Sequence, residues 1–234
     1  MSHPPLHSCR PVRALALLCS LALAACGDGS GLLGVSGSAD AATVRFVNAS
    51  ASSLDLATAG VVAASNANIA PGSGVACFSV ADPVAPGLSV RQSGTSADLT
   101  GFAPLLARGG RYTLVAYPGA SGFIQFATVP NVSLLVAGRS ALRVFNGSSS
   151  LGVVDVHVTA PGAALVSPSV TGVGYGAASG TFDVSAGTIQ VRLTSSTTAA
   201  VLFDSGSLTL EAGKVYTLVV SSATSAALLV PDCI

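Results

Sequence analysis

Few side chains in this chain have the type and spacing that chemistry needs. Of three histidines, His3 and His7 precede an apolar N-terminal stretch, which leaves His157 alone in the remainder. A Ser-His-Asp or Cys-His centre needs an imidazole beside its nucleophile. His157 sits in the run Val153 to Thr159, alternating with Val156 and Val158, and is expected as an exposed strand histidine. There is no Gly-x-Ser-x-Gly elbow. The nearest approach, Gly147-Ser148-Ser149-Ser150-Leu151-Gly152, has the wrong spacing and reads as the turn of a hairpin loop. Cys-x-x-Cys, His-x-x-x-His and an Asp-rich loop ending in Glu are also missing, so no metal site is expected. The glycine run Gly172 to Gly180 lacks lysine, phosphate-loop spacing and a following helix pattern, and reads as a flexible loop between strands. No catalytic residue and no cofactor is therefore assigned.

Two charged pairs and the thiols remain. Asp55 and Asp155 occupy equivalent settings, Leu-Asp-Leu and Val-Asp-Val, each following a strand that carries Arg45 or Arg143. If those strands form a hairpin, each Asp meets its Arg across the ladder, for at most about 1 kcal/mol when exposed. The alternative is a ligand-binding Asp.

The first 25 residues read as an export signal. Arg10 and Arg13 give it a positive start, and an apolar stretch runs from Ala14 to Ala25, too short for a stop-transfer span of about 20 residues. It ends in Leu23-Ala24-Ala25-Cys26, which resembles the lipobox of bacterial lipoproteins. The resemblance implies cleavage before Cys26, a diacylglycerol on its thiol and usually an acyl group on its new amine. Several acyl chains hold a protein firmly, at about 0.8 kcal/mol per buried CH₂, so the membrane is an expected partner without a transmembrane helix. Gly27 rather than Asp follows the cysteine, and by analogy with enteric sorting this favours the outer membrane. Residues 26–42, rich in Gly, Ser and Ala, form the expected flexible tether. Cleavage and lipidation leave only Cys77 and Cys233 as free thiols. In an oxidising compartment these are expected to bridge, tying the first half of the fold to the C-terminal end; the alternative is two buried thiols.

The elements that position these residues come in two copies. Val44-Arg45-Phe46-Val47-Asn48-Ala49-Ser50 returns as Leu142-Arg143-Val144-Phe145-Asn146-Gly147-Ser148, and Leu54-Asp55-Leu56 as Val154-Asp155-Val156. Phe78-Ser79-Val80 matches Phe182-Asp183-Val184, Leu88-Ser89-Val90-Arg91 matches Ile189-Gln190-Val191-Arg192, and Arg111-Tyr112-Thr113-Leu114-Val115 matches Val215-Tyr216-Thr217-Leu218-Val219. The order is kept while loop lengths drift, as in duplicated β domains. Short runs of Val, Leu, Thr and Phe between Gly, Pro, Ser and Asn clusters predict an all-β protein of two tandem immunoglobulin-like antiparallel sandwiches, over 43–138 and 139–234, after a signal helix over 1–25 and the tether. The stretch Ala57 to Ala70 is locally helical on alanine propensity alone.

These recurring residues resemble the bacterial family known as domain of unknown function 4397. Its members open on a strand with Arg, then His or Asn and Ala-Ser, continue through a Val-Asp-Val strand and close on Gly-Lys-x-Tyr-Thr. Here Gly213-Lys214-Val215-Tyr216-Thr217 fits closely, Gly110-Arg111-Tyr112-Thr113 fits with one residue fewer, and the Pro-Asp often found after Ala-Ser is missing from both copies. The resemblance spans nearly all of the chain after the signal. It implies tandem immunoglobulin-like sandwiches on an exported, surface-associated protein, and no reaction.

Composition narrows the role. Only 9% of the 234 residues are charged, with a single lysine, so no basic patch can neutralise phosphates and nucleic acid is excluded as a partner. Half of the residues are apolar but only 12 are aromatic and none is Trp. That is sparse for the aromatic girdles of a transmembrane barrel. Removing Arg10 and Arg13 with the signal leaves eight basic residues against ten acidic ones. The expectation is a non-enzymatic, lipid-anchored envelope protein with a binding or structural role toward an envelope protein or glycan. The alternatives are a surface adhesion module, or a carbohydrate-active or accessory subunit using two carboxylates about 5 to 10 Å apart.

Overall fold

Each segment that recurs in the sequence becomes a strand with the same neighbours in both copies of a computed structural model, which describes residues 40–67, 76–119, 121–131, 136–221 and 227–233. The signal, Cys26 and the tether as far as residue 39 lie outside these residues, whereas Ala42, expected as the last tether residue, opens the first strand. The first copy comprises β1 (Ala42–Asn48), β2 (Leu54–Thr58), β3 (Val61–Ala67), β4 (Phe78–Val80), β5 (Leu88–Gln92), β6 (Asp98–Phe102), β7 (Arg111–Pro118) and β8 (Ile124–Pro130). The second comprises β9 (Arg139–Gly147), β10 (Val154–Thr159), β11 (Val170–Val173), β12 (Phe182–Ser185), β13 (Gly187–Ser195), β14 (Val201–Leu210), β15 (Val215–Ser221) and β16 (Ala227–Pro231). Sheet β4-β1-β7-β8 faces sheet β3-β2-β5-β6, and sheet β12-β9-β15-β16 faces sheet β11-β10-β13-β14 in the identical order. The described chain is all-β, two sandwiches of four strands on four.

Alternation builds each core. Val44 and Phe46 of β1, Leu54 and Leu56 of β2, Val90 of β5 and Leu114 of β7 meet in the first sandwich. Leu142 and Val144, Val154 and Val156, Val191, and Leu218 are their counterparts in the second, where Leu193 joins them. The expected purely antiparallel pairing fails at one place per copy. β1 runs parallel to β7 and β9 parallel to β15, because the first strand of each copy crosses to the sheet that holds the penultimate one.

Local polar bonds explain the recurring motifs. In Asn48-Ala49-Ser50 the Asn48 Oδ1 accepts from the Ser50 amide at 2.9 Å, while its Nδ2 donates to the Ser52 carbonyl at 2.6 Å. Asn146 repeats this toward the Ser148 amide (3.2 Å) and the Gly152 carbonyl (2.8 Å). Both asparagines are buried, so each satisfies the backbone of the turn where the chain leaves one sheet for the other. Residues 147–152 thus form an arch between sheets, with a short 3-10 turn at Ser149–Leu151, and not a hairpin loop.

The closing motif makes a corner. The Tyr112 hydroxyl accepts from the Ala107 amide at 2.8 Å and the Tyr216 hydroxyl from the Glu211 amide at 3.2 Å, each five residues upstream, as in the tyrosine corner of immunoglobulin-type sandwiches. Gly109 and Gly213 supply the positive φ (66° and 76°) that turns the chain into it, so the two copies have the same spacing once Gly109 is taken as the counterpart of Gly213.

Over the described part of Ala57 to Ala70 the helical expectation is overturned. Ala59 and Gly60, with φ of 47° and 82°, turn β2 tightly back into β3, and the pairing of β2 with β5 outweighs alanine's helix propensity. Among the described residues no helix is long and apolar enough to cross a membrane.

Tyr112→Phe or Tyr216→Phe removes the only side-chain acceptor of a corner amide. Each is expected to lower unfolding free energy by about 1–3 kcal/mol, read as a lower urea midpoint at unchanged m-value.

Candidate functional site

The charged residues singled out in the sequence separate, and the arginines meet elsewhere. β1 and β2 belong to opposite sheets, as do β9 and β10, so neither Asp55 and Arg45 nor Asp155 and Arg143 face each other across a ladder. This corrects the expected cross-strand pairs: the arch between sheets places each Asp and its Arg on different layers. Asp55 lies opposite Arg91 in β5 and accepts from the Ser93 hydroxyl and from the Gly94 amide at 3.3 Å, holding the β5–β6 turn. Asp155 accepts from the Gly172 amide at 2.8 Å, holding β11. The carboxylate that Arg91 meets is Asp98, at 2.6 Å, and the Arg91 and Ser89 hydrogen bonds hold the Asp98 carboxyl below its usual range.

Arg45 and Arg143 occupy the positions of β1 and β9 that face away from their own sandwich cores. Along those faces the two copies pack against each other. Val47, Ala49, Val115, Tyr117 and Val129 of the first sandwich bury against Phe145, Val219, Leu228 and Val230 of the second. Tyr117 meets Phe145 edge to face at 5.4 Å between ring centroids, and the Ser221 hydroxyl donates to the Ala49 carbonyl at 2.6 Å. Four strands, β1, β7, β9 and β15, are therefore covered on both faces.

A polar cluster is sealed in this seam. The Arg143 guanidinium, only 3% exposed, forms an ion pair with the fully buried Asp232 carboxylate and donates to the Pro130 carbonyl. It also donates to Thr217 Oγ1 and to Asn131 Oδ1, both at 2.8 Å. Thr217 donates in turn to Asp232 Oδ1 at 3.0 Å, and Thr113 to Asn131 Oδ1 at 3.1 Å. Burial pushes the Asp232 carboxyl above its usual range, while Arg143, Thr217 and Arg45 pull against that shift. Burial also lowers the Arg45 guanidinium, and the charge of Asp232 opposes it. Arg143 of the second copy thus reaches Asn131 of the first, while Arg45 of the first feels Asp232 of the second. Such reciprocity is that of an isologous two-fold interface.

Thr113, Asn131, Thr217 and Asp232 were not singled out by sequence reasoning, although one signal was available. Val129-Pro130-Asn131 recurs as Val230-Pro231-Asp232 in matching register with Tyr112 and Tyr216. The counterpart of a buried carboxylate is thus a neutral amide, and the seam holds two arginines for one aspartate. The Nδ2 of Asn131 and the Nε of Arg45 are buried without a hydrogen-bond partner among the described residues.

Cys77 and Cys233 form a disulfide with 6.0 Å between Cα atoms. Cys77 precedes β4 and Cys233 follows Asp232, so the bridge joins the two sandwiches across the seam, beside Arg45, whose Nη2 lies 3.3 Å from the Cys77 sulfur.

Two further expectations change. His157 is 8% exposed, not an open strand residue. The connection over 160–169 straps the outer face of its sheet, so that His157 Nδ1 lies 2.7 Å from the Val166 carbonyl and Nε2 3.1 Å from Thr194 Oγ1. The Arg192 guanidinium donates to the Ala163 carbonyl of the same strap, whose Gly162 amide donates to Gln190 Oε1. The glycine run begins inside β11, which includes Gly172 and Val173, and only its remainder is a loop, and a tethered one. The Gly176 amide donates to the Asn146 carbonyl at 2.8 Å, the Ser179 amide to the Val144 carbonyl at 2.8 Å, and Tyr175 packs edge-on to Tyr117 in the seam. Gly176 lies so close to Tyr117 that a Cβ there would come within 2.7 Å of the hydroxyl oxygen. Among the described residues no three His, Cys, Asp or Glu side chains cluster as metal ligands.

Arg143→Met strands Asp232 as an uncompensated buried charge and should cost about 3–5 kcal/mol in denaturant unfolding. Asn131→Asp replaces an amide whose Nδ2 finds no partner among the described residues by a carboxylate that still accepts from Arg143 and Thr113, and should raise the melting temperature. Opening the Cys77–Cys233 loop, whose ends are 156 residues apart, with paired Ser substitutions should cost up to about 5 kcal/mol by chain entropy, read in the same assay. No protein-family model and no curated protein matches this chain.

Proposed function

We propose that this protein is a lipid-anchored component of a bacterial cell envelope, held at the outer membrane through acyl chains on Cys26, with a non-enzymatic binding or structural role. The observation that carries the reading is the Cys77–Cys233 bridge across the seam. A disulfide that closes the interface of a protein with this little surface charge fits an oxidising, exported compartment and not a reducing cytosol. It agrees with the export signal and with Leu23-Ala24-Ala25-Cys26, which reads as an acylation site.

The seam supports the second half of the proposal. Most linked domains meet through modest polar interfaces and move relative to one another. Here an apolar layer, a buried ion-pair cluster and a covalent bridge join the sandwiches. Such a pair acts as one stiff unit on a Gly- and Ser-rich tether, which suits a spacer or a presenting platform. Four of the carboxylates in the fold serve turns and the seam: Asp55, Asp98 and Asp155 brace strands, and Asp232 is enclosed. None of these is presented as a pair across an open cleft, which favours binding over hydrolysis.

In cells fed an alkyne-tagged palmitate, the wild-type chain should take up label and sediment with outer-membrane fractions, while Cys26→Ser should be unlabelled and released to the soluble fraction. Unlabelled, soluble wild-type protein would overturn the anchoring. A membrane-impermeant amine reagent on intact cells, read at Lys214, reports which face of the membrane the sandwiches occupy.

A further inference from the structure

One end of the first sandwich carries a feature that the seam, the corners and the turns do not use. The β1–β2 arch, the β5–β6 hairpin and the β7–β8 hairpin converge there on a cleft of about 480 Å³, lined by Ser52, Leu54, Gln92, Thr100, Phe123 and Ile124. That volume lies within the range of small-ligand sites, about 300–1,000 Å³. We propose that this cleft binds a neutral glycan, stacking the C–H face of a hexopyranose on Phe123 and exchanging hydrogen bonds between ring hydroxyls and the Gln92 amide and Ser52 hydroxyl.

Phe123 is the first reason. All twelve aromatic residues lie within the described segments, and eleven of them are buried or half-buried. Phe123 is 77% exposed. Its backbone is fixed, since its carbonyl accepts from the Gly119 amide at 2.6 Å while the Gly122 amide donates to the Gly119 carbonyl at 3.0 Å. The next residue, Ile124, packs against the core. The ring is thus presented by a tight turn, and an aromatic ring offers an apolar body with a negative face that partly positive C–H groups match.

The second reason is the chemistry of the walls. Among the described residues no charged side chain lines the cleft, so an anionic or cationic ligand would find nothing there to offset its desolvation. The side-chain amide of Gln92 and the hydroxyl of Ser52 make no hydrogen bond within the described protein, and both are exposed. Leu54 sits directly opposite Gln92 across the β2–β5 pair, and the stacked rings of Phe102 and Phe126, 3.9 Å between centroids, stiffen the sheets behind them. An apolar platform facing uncharged hydrogen-bonding groups suits a pyranose, which has one apolar face and a hydroxyl rim. An acyl chain would leave the polar side unmatched. An added peptide strand would use a sheet edge and not a hole between three loops.

The inference deepens the binding role proposed above and rests on it, but the two fail separately: acylation and fractionation read the anchor, and sugar binding reads the cleft. Saturation-transfer NMR on the mature chain in detergent, with maltotriose, cellotriose, mannotriose and N,N′,N″-triacetylchitotriose as probes, should show transfer to the C–H protons of at least one. Phe123→Ala and Gln92→Ala should each weaken that ligand roughly tenfold, equivalent to ~1.4 kcal/mol, at an unchanged melting temperature. Phe123→Leu keeps apolar bulk without the ring and should weaken binding as Phe123→Ala does, which separates loss of the platform from loss of the fold. Transfer to none of the four sugars, equal transfer in the Phe123 variants, or binding confined to a charged sugar or an acyl chain would overturn the proposal.

Discussion

The structure depends on a buried interface between two sheets that would face solvent in a single sandwich. Strands β1, β7, β9 and β15 are covered on one side by their own core and on the other by the sister copy. An antiparallel sheet in water keeps one face polar; a sheet covered on both sides needs apolar residues at successive positions. The runs Tyr112-Thr113-Leu114-Val115-Ala116-Tyr117 and Val215-Tyr216-Thr217-Leu218-Val219-Val220 have that character. Most polar groups that enter this layer answer one another, Arg143 with Asp232 and Asn131, and Thr217 and Thr113 with the same two acceptors, the Arg45 Nε and Asn131 Nδ2 being exceptions. Removing one member would leave a buried charge or donor unmatched. For that reason the cluster binds the copies to a single register more than it adds net stability.

The seam also explains where the copies have diverged. Some residues that face the sister domain stay alike, as in the pairs Arg45 and Arg143, Thr113 and Thr217, and Val115 and Val219, while Val47 is answered by Phe145. Away from it, a two-residue turn joins β2 to β3, whereas the 160–169 strap joins β10 to β11 and covers His157. The one change inside the cluster, Asn131 for Asp232, unbalances its charge by one arginine. The disulfide adds a second asymmetry, since Cys77 and Cys233 bridge one corner beside that arginine.

For function, the arrangement separates stiffness from contact. The seam and bridge lie in the middle of the molecule, and loops gather at the ends of the sandwiches, where binding residues on a rigid scaffold are commonly found. Phe123 projects at one such end, on a hairpin held by its own backbone hydrogen bonds. Few charges elsewhere leave the surface neutral, which suits uncharged partners and gives little long-range steering.

Much of the fold was legible because duplication and period-two alternation are local signals. The five recurring segments became strands with identical neighbours, and Leu88, Val90, Ile189 and Val191 point inward as their alternation with polar residues required. Cysteine arithmetic also singled out Cys77 and Cys233, since the expected signal removal and lipidation would leave no others. Strand pairing was not legible. Chain adjacency suggested Arg45 beside Asp55, but the asparagine-braced arch sends β2 to the opposite sheet. His157 looked exposed because its cover comes from a loop with no sequence mark of docking, and alanines that favour helix in isolation were drawn into β2 and β3 by pairing. The sequence by itself determined that there are two β domains and which residues fill each core, because burial on one face writes itself at every second position. Only the tertiary structure decided that the domains share a third buried layer, and that Arg45 and Arg143 belong to it. That layer joins residues far apart in the chain, and its polar members gain their meaning only from the partner brought opposite.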